Sequence, residues 1–136
     1  MLELEEALEK DYGYLGIDTS SHNIETTDMI EICGYPGDKM AAQQKTMWTA
    51  KGNPNALDDD FLYYQIPTFK GQSGSPILKT EGEDVYIVGI HIKGIKEIGR
   101  NIGVRFTEKR RRKINEWVGE ITGWLDLSKC LRTQAI

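Results

Sequence analysis

The segment FKGQSGSPIL, residues 69–78, places Ser73 between two glycines. A serine hydroxyl acts as a nucleophile when a sharp, exposed turn presents it, a base takes its proton, and backbone N–H groups face the oxyanion that forms. Gly71 and Gly74 permit such a turn, because glycine adopts backbone angles that other residues avoid. Many Gly/Ser clusters are only turns, so the rest of the chain has to decide between the two interpretations.

One serine framework, the nucleophile elbow of α/β-hydrolases, needs Gly-x-Ser-x-Gly between a strand and a helix. In this sequence Ser75 occupies the second glycine position, and Pro76 leads into a strand-like run. The chain also lacks the alternation of strands and helices that this framework requires. We therefore do not expect a hydrolase elbow.

Strand-like runs dominate the chain, and they lie at 12–17, 28–35, 45–52, 61–66, 76–80, 84–92 and 101–107. NPNALDDD at 53–60 has the composition of a loop, and EGE at 81–83 that of a hairpin turn. After Thr107, a helix-capping residue, apolar residues recur at helical spacing, and they include Trp117, which we expect in the core. This pattern predicts a small antiparallel barrel or sandwich with a closing helix over 1–122, followed by a tail over 123–136.

The composition excludes several functional classes. The 136 residues carry a net charge of −4, which argues against a nucleic-acid-binding surface over the whole molecule. No apolar run approaches the roughly 18 residues that a membrane span needs. EKRRRK at 108–113 is expected to be a solvated helix face rather than a phosphate site, and LDDDF at 57–61 a solvated loop rather than a metal site.

The two cysteines, Cys33 and Cys130, match no metal-binding spacing. They are either free thiols or a disulfide that holds the C-terminal tail to the body, and the sequence leaves both alternatives open.

An ordered set of motifs around Ser73 resembles the chymotrypsin-like serine proteases, and most closely the glutamyl endopeptidase branch. GYPGDK at 34–39 precedes the Met47–Trp48 pair, Thr68 precedes the serine, and GIHIKG at 89–94 and NIGVRFT follow it. The resemblance covers most of the chain. It implies an all-β fold, an antiparallel six-stranded Greek-key β-barrel with a C-terminal α-helix, which is the second half of the trypsin-like two-barrel fold.

The resemblance also implies roles for four residues. Ser73 is the implied nucleophile, the N–H groups of Gly71 and Ser73 form the oxyanion hole, and Thr68 and His91 line the primary specificity pocket. A histidine there can donate a hydrogen bond to a carboxylate and be charged when it does so. The implied activity is that of a serine endopeptidase cleaving peptide or protein substrates after Glu or Asp, without metal or organic cofactor. The resemblance implies a secreted or extracellular enzyme, although MLELEEALEK lacks the apolar core of a signal peptide.

The group that would activate the serine is missing from the pattern. Serine attack needs a histidine base oriented by a carboxylate, and the sequence holds two histidines. The resemblance assigns His91 to the pocket, and His22, in the polar segment TSSHNI, is not expected to act as the base. LELEE near the start resembles the strand after the family's catalytic Asp, so Asp11 and Asp18 come too late to replace that residue.

We therefore expect the isolated chain to be inactive and to need a first barrel with the His/Asp pair, in trans or within a longer protein. That barrel, or another chain, would cover the apolar face between the two barrels. Two alternatives remain open. The chain is either a catalytically dead module that binds acidic peptides through Thr68 and His91, or a structural subunit of an assembly.

Overall fold

The structure, a computed structural model, describes residues 15–17, 24–42 and 46–122. Its elements in chain order are β1 (Gly16–Ile17), β2 (Ile30–Gly34), β3 (Trp48–Gly52), β4 (Pro54–Leu57), β5 (Phe61–Tyr64), β6 (Pro76–Glu81), β7 (Asp84–Ile95), β8 (Arg100–Arg105) and α1 (Glu108–Thr122). Two short 3-10 helices, Gly37–Ala42 and Lys96–Ile98, lie between strands.

Seven of the strands form one antiparallel path in the order β3-β2-β6-β7-β8-β5-β4, and β1 pairs in parallel with β7. Strands β6, β7 and β8 are consecutive neighbours, and β5 lies beside β8, which is the Greek-key arrangement. The connection from β5 to β6 therefore crosses the sheet, and it contains Ser73. The predicted all-β, antiparallel Greek-key fold with a C-terminal helix is confirmed.

The sheet curls because its two ends belong to one stretch of chain. Only Asn53 separates β3 from β4, so the same segment pairs with β2 at its start and with β5 at its end. The Asn53 side-chain amide donates to the carbonyl oxygens of Thr27 (3.0 Å) and Asp28 (2.9 Å), which fixes this corner. The described residues form eight strands, where six were expected.

The sequence predicts a loop over 53–60, and this prediction is wrong for residues 54–57. Strand β4 occupies Pro54–Leu57 and pairs with β5 through a register shift between Pro54 and Ala56. Proline is tolerated as the first residue of a strand, so the turn-like composition of this segment does not exclude pairing. The loop itself is confined to the three aspartates, 58–60.

The core follows the two-residue period of the strands. Burial alternates along β2 and β5, and Ile30, Ile32, Leu62 and Tyr64 are fully buried. Burying one such side chain contributes about 1.5–3 kcal/mol. The buried cluster consists of Ile24, Ile30, Ile32, Leu62, Tyr64, Ile66, Ile77 and Val88.

The helix α1 begins as the sequence predicts, because the Thr107 hydroxyl accepts a hydrogen bond from the N–H of Arg110 (3.3 Å). The prediction that Trp117 lies in the core is wrong, since its side chain is 43% exposed. Helical spacing identifies the residues that share a face but not whether another element covers that face. The Lys113 ammonium lies 5.8 Å from the centroid of the Trp117 ring.

Carboxylates pair with part of the basic run at the start of α1. Arg110 pairs with Asp60 (2.8 Å), and both Arg111 and Arg112 pair with Glu108 (3.0 and 2.9 Å). Arg111 departs from the expected solvated face because it is buried, and it also donates to the Phe106 carbonyl (3.5 Å). These pairs favour a structural role for the run over a phosphate site.

The acidic loop is organised around Asp58. One carboxylate oxygen accepts the N–H groups of Asp60 (2.8 Å) and Phe61 (2.6 Å), and the other accepts the Tyr63 hydroxyl (2.8 Å). Asp58 thus closes an Asx turn, in agreement with the predicted loop. Within 15–17, 24–42 and 46–122, no group of three His, Cys, Asp or Glu side chains could hold a metal ion.

Cys33 lies on β2, and burial is the main cause that raises the pKa of its thiol. It forms no disulfide with a residue that the structure describes, and Cys130 lies outside those residues, so the pairing stays a prediction. None of the helices in the described ranges is long and apolar enough to cross a membrane.

Candidate active site

Two successive four-residue turns present Ser73. The N–H of Gln72 donates to the Phe69 carbonyl (3.1 Å), and the N–H of Ser75 donates to the Gln72 carbonyl (3.0 Å). The third residue of each turn is a glycine with positive φ, 104° at Gly71 and 92° at Gly74. Positive φ at this position is what type II turns require. The sharp turn predicted from the two glycines is therefore present, and Ser73 stands exposed in the second one.

Buried neighbours hold the exposed serine in place. Gln72 and Ser75, which flank the Ser73–Gly74 pair, are only 5% and 8% exposed. The side-chain oxygen of Gln72 accepts a hydrogen bond from the N–H of Phe69 (2.7 Å), which adds a second hydrogen bond across the first turn. The loop thus alternates inward-facing anchors with an outward-facing hydroxyl group.

The segment that follows β2 packs against the first turn. The N–H of Gly37 donates to the Lys70 carbonyl (2.7 Å), and a Cβ placed on Gly71 would lie 3.0 Å from the Tyr35 carbonyl oxygen. A Cβ on Gly34 would overlap the Ser75 hydroxyl oxygen. The GYPGDK motif therefore has a packing role, because its glycines let the two segments approach closely.

Strand β7 supports the second turn. The N–H of Gly74 donates to the His91 carbonyl, and the N–H of His91 donates to the Ser75 carbonyl, both at 2.9 Å. The two residues that directly follow Ser73 are thus joined to the strand that carries His91. The structure brings these two predicted site residues into neighbouring positions.

The backbone N–H groups of Gly71 and Ser73 donate no hydrogen bond to any residue that the structure describes, whereas those of Gln72, Gly74 and Ser75 all do. Gly71 and Ser73 are both exposed. An oxyanion hole requires free N–H donors of this kind, and the assignment of Gly71 and Ser73 to one stays a prediction.

His91 is a buried side chain with a buried partner. It is 3% exposed, and its Nδ1 lies 2.6 Å from the hydroxyl oxygen of Tyr64, which is fully buried. Burial lowers the pKa of the His91 imidazole and raises the pKa of the Tyr64 phenol, since both charged forms lose hydration. At neutral pH both side chains are therefore expected to be uncharged.

Thr68 lines a cleft of about 260 Å³ beside the nucleophile loop. Trp48 and Phe69 also line it, and both are largely exposed. His91 is not among the residues that line this cleft, so a pocket shared by Thr68 and His91 stays a prediction. The full lining is Pro36, Asp38, Lys39, Trp48, Thr49, Ala50, Pro67, Thr68, Phe69 and Gln72.

A base for Ser73 is not seen in the described ranges. Their single histidine is His91, whose ring hydrogen bond goes to Tyr64 and not to Ser73. His22, Asp11 and Asp18 lie outside the residues that the structure describes. The expectation that the base comes from elsewhere stays a prediction.

Comparisons with known proteins agree with this geometry. Glutamyl endopeptidases of the Staphylococcus aureus strains MW2, COL and MRSA252 are each 39% identical to this chain over 79 residues, or 57% of it. A solved structure of a Glu endopeptidase in complex with MPD superposes with a TM-score of 0.68 at 32% identity and covers 81% of this chain. No protein-family profile matches the sequence.

The chain spans only part of these relatives, 22%, 22% and 20% of the three curated proteins and 49% of the solved chain. Over that part the fold is that of a trypsin-like serine protease barrel. Within this class the chain resembles the C-terminal portion of the glutamyl endopeptidases, as its motifs predict. The relation supports a serine protease-like function.

Three residues that position the site were not identified from the sequence. The sequence places Tyr64 only in a strand, and Gln72 and Gly34 only in their motifs. The two-residue period of the strand could have identified Tyr64, because it places Tyr64 on the same inward-facing side as Leu62. No sequence signal identifies Gly34 as the contact of Ser75, since that contact joins segments 41 residues apart.

Proposed function

We propose that this chain carries the nucleophile and the specificity pocket of a serine endopeptidase that hydrolyses peptide bonds after Glu or Asp. The observation that carries the proposal is the loop at Ser73, where an exposed hydroxyl stands beside the free N–H groups of Gly71 and Ser73. The resemblance to glutamyl endopeptidases agrees with it.

The proposed chemistry is acyl transfer in two stages. A base takes the proton of the Ser73 hydroxyl while its oxygen attacks the scissile carbonyl carbon. The resulting oxyanion accepts hydrogen bonds from the N–H groups of Gly71 and Ser73. When the intermediate collapses, the amine leaves with the proton from the base. Water then attacks the acyl-serine by the same route and releases the carboxylic acid.

Specificity is assigned to Thr68 and His91. The position of His91 supports this, because its backbone is hydrogen-bonded to Gly74 and Ser75, the two residues that follow the nucleophile. A hydroxyl group and an imidazole N–H are both donors, which suits the carboxylate of a substrate Glu or Asp.

The base and its carboxylate are assigned to residues outside this chain, in a first barrel or in another protein. The exposed apolar side chains beside the loop, Tyr35, Met47, Trp48 and Phe69, are available to that partner or to the substrate. A general base contributes about 10²- to 10⁴-fold to such a reaction, so the isolated chain is expected to hydrolyse peptides very slowly.

The absence of a base beside Ser73 in the described ranges also favours the second candidate, a peptide-binding module that does not cleave. Both candidates require the same pocket, and they differ only in whether a base is ever supplied.

The pocket is tested by titrating the 136-residue chain with an acetylated peptide that ends in Glu, the product of the proposed reaction. Amide NMR signals report on Gly71, Ser73 and His91. The terminal carboxylate should shift the signals of Gly71 and Ser73, and a matched peptide ending in Gln should bind at least several-fold more weakly. Equal effects from both peptides, or none at Gly71 and Ser73, would overturn the proposal.

A further inference from the structure

The contact between Tyr64 and His91 spans three strands. Tyr64 lies at the end of β5 and His91 on β7, and β8 runs between them. The β8 residue at the crossing is Gly103, which pairs with His91 on one side and with Leu62 on the other. A Cβ on Gly103 would overlap the Ile77 side chain and would lie 3.2 Å from the Tyr64 hydroxyl oxygen. The glycine therefore leaves room both for Ile77 and for the phenol that reaches across β8.

The direction of the hydrogen bond follows from counting protons. The Tyr64 hydroxyl group is fully buried, and His91 Nδ1 is its single hydrogen-bond partner among the described residues. If Nδ1 carried the imidazole proton, the phenol oxygen would accept a hydrogen bond from Nδ1–H, and the phenol's own O–H would have no acceptor. An unsatisfied buried donor costs about 1–3 kcal/mol. The phenol therefore donates to Nδ1.

The other ring nitrogen of His91 then carries the proton. No described residue bonds to Nε2. In the described ranges, the one side-chain nitrogen or oxygen that is both buried and without a partner is Arg111 Nε. Because Nε2 also has no partner, it cannot be buried, so it contacts solvent at the edge of the ring. An accessible N–H at the edge of a buried ring is a built donor for an outside ligand.

We propose that Tyr64 is a positioning residue that holds His91 as a neutral imidazole with its proton on Nε2, so that His91 offers the substrate carboxylate an uncharged N–H donor beside the Thr68 hydroxyl. This inference rests on the proposed function for its ligand, the side chain of Glu or Asp. It differs from the sequence-based interpretation, in which the histidine can be charged when it donates to the carboxylate.

The tautomer is measured directly on the ¹⁵N-labelled 136-residue chain by long-range ¹H–¹⁵N NMR of the imidazole rings at neutral pH. Protonated and unprotonated ring nitrogens have well-separated ¹⁵N shifts, and a His22→Ala variant assigns the two histidines. We expect Nε2 of His91 to be protonated and Nδ1 to be unprotonated. In Tyr64→Phe the two tautomers should mix, because the donor to Nδ1 is lost.

Tyr63→Phe is the matched control. It removes a neighbouring phenolic hydroxyl that bonds to Asp58 and does not contact His91. The control should leave the His91 tautomer unchanged. A change in both variants would show that losing any phenolic hydroxyl from β5 disturbs His91, and that the effect is not specific to Tyr64.

A wild-type His91 that is charged at neutral pH, or protonated on Nδ1, would overturn the inference. So would a Tyr64→Phe variant that folds and keeps the single Nε2–H tautomer. If Tyr64→Phe does not fold, the wild-type measurement decides alone. Failure of the proposed function would instead appear in the peptide titration, which leaves the tautomer measurement unaffected.

The same arrangement predicts how peptide binding depends on pH. Binding of the Glu-terminated peptide should stay within about twofold as the pH rises from about 6.5 to about 8, since the donor is already neutral. A charged donor would instead lose affinity roughly tenfold per pH unit above its pKa.

Discussion

Gly34 lies directly against Ser75, so closely that a Cβ on Gly34 would overlap the Ser75 hydroxyl oxygen. The contact joins the end of β2 to the buried residue that ends the second turn of the nucleophile loop. The position of Ser73 therefore depends on the absence of a side chain on another strand.

Gly34→Ala should destabilise the protein and displace the loop. Overpacking a buried contact typically costs about 1–3 kcal/mol. We expect a loss of this size in the free energy of unfolding, measured with urea, together with changed amide NMR signals at Ser73. Adding Ser75→Ala removes the overlapping oxygen, so the double variant should regain most of the loss. Additive losses in the double variant would show that the two residues do not interact.

The pH dependence of stability should reveal the burial of His91. Its pKa is lowered in the folded state, whereas an unfolded histidine titrates near about 6.5. Between these two values the unfolded chain binds more protons, so the free energy of unfolding should fall as the pH is lowered through this window. Above the unfolded pKa this contribution is fully present.

Urea unfolding at about pH 7.5 and about pH 5 measures this effect, because the two conditions lie on either side of the unfolded pKa. His91→Gln should reduce the difference in stability between the two conditions, while His22→Gln serves as the control for the second histidine. An unchanged difference in His91→Gln would contradict the prediction.

Asp58 should contribute in a more acidic pH range than His91. Hydrogen bonds from the N–H of Asp60, the Tyr63 hydroxyl and the N–H of Phe61 hold the pKa of its carboxyl group below the usual value. Because the folded pKa is depressed, its stabilising contribution is present above the unfolded pKa of about 4 and is lost as the pH falls through the folded pKa.

Asp58→Asn should therefore flatten the acid side of the stability profile, measured by urea unfolding from about pH 7 down to about pH 3. Asp59→Asn is the matched control, since Asp59 has no hydrogen bond or ion pair with any described residue. Equal flattening in both variants would argue against a specific role for Asp58.

The sequence predicted most of the fold because its signals are local. Alternating apolar residues located β2, aromatic residues located β5, and the Gly/Ser cluster located the turns at Ser73. The capping threonine located the start of α1. Each of these features depends on residues a few positions apart, which a pattern can detect.

The remaining features depend on contacts between distant segments. β4 was missed because its pairing with β5 overrides a turn-like composition, and Trp117 was misplaced because nothing local shows whether a helix face is covered. The partner of His91 is Tyr64, 27 positions away, and their contact depends on Gly103 on a third strand. Such arrangements follow from the Greek-key crossing rather than from any single motif.

The central claim is that Ser73 is a nucleophile that lacks only its base. A fluorophosphonate probe tests it, because a serine must be activated to displace fluoride from phosphorus. The purified chain is treated with the probe alone and with increasing imidazole, a free base that substitutes for the missing histidine. Labelling should be very slow alone, rise with the imidazole concentration and map to residue 73 by mass spectrometry.

Ser73→Ala should abolish this labelling, and Ser75→Ala, which alters the buried serine of the same loop, should retain it. Fast labelling of the wild-type chain without imidazole would mean that a base is already present in these 136 residues. Labelling that persists in Ser73→Ala, or no labelling at any imidazole concentration, would contradict the claim that the loop is built as a protease nucleophile.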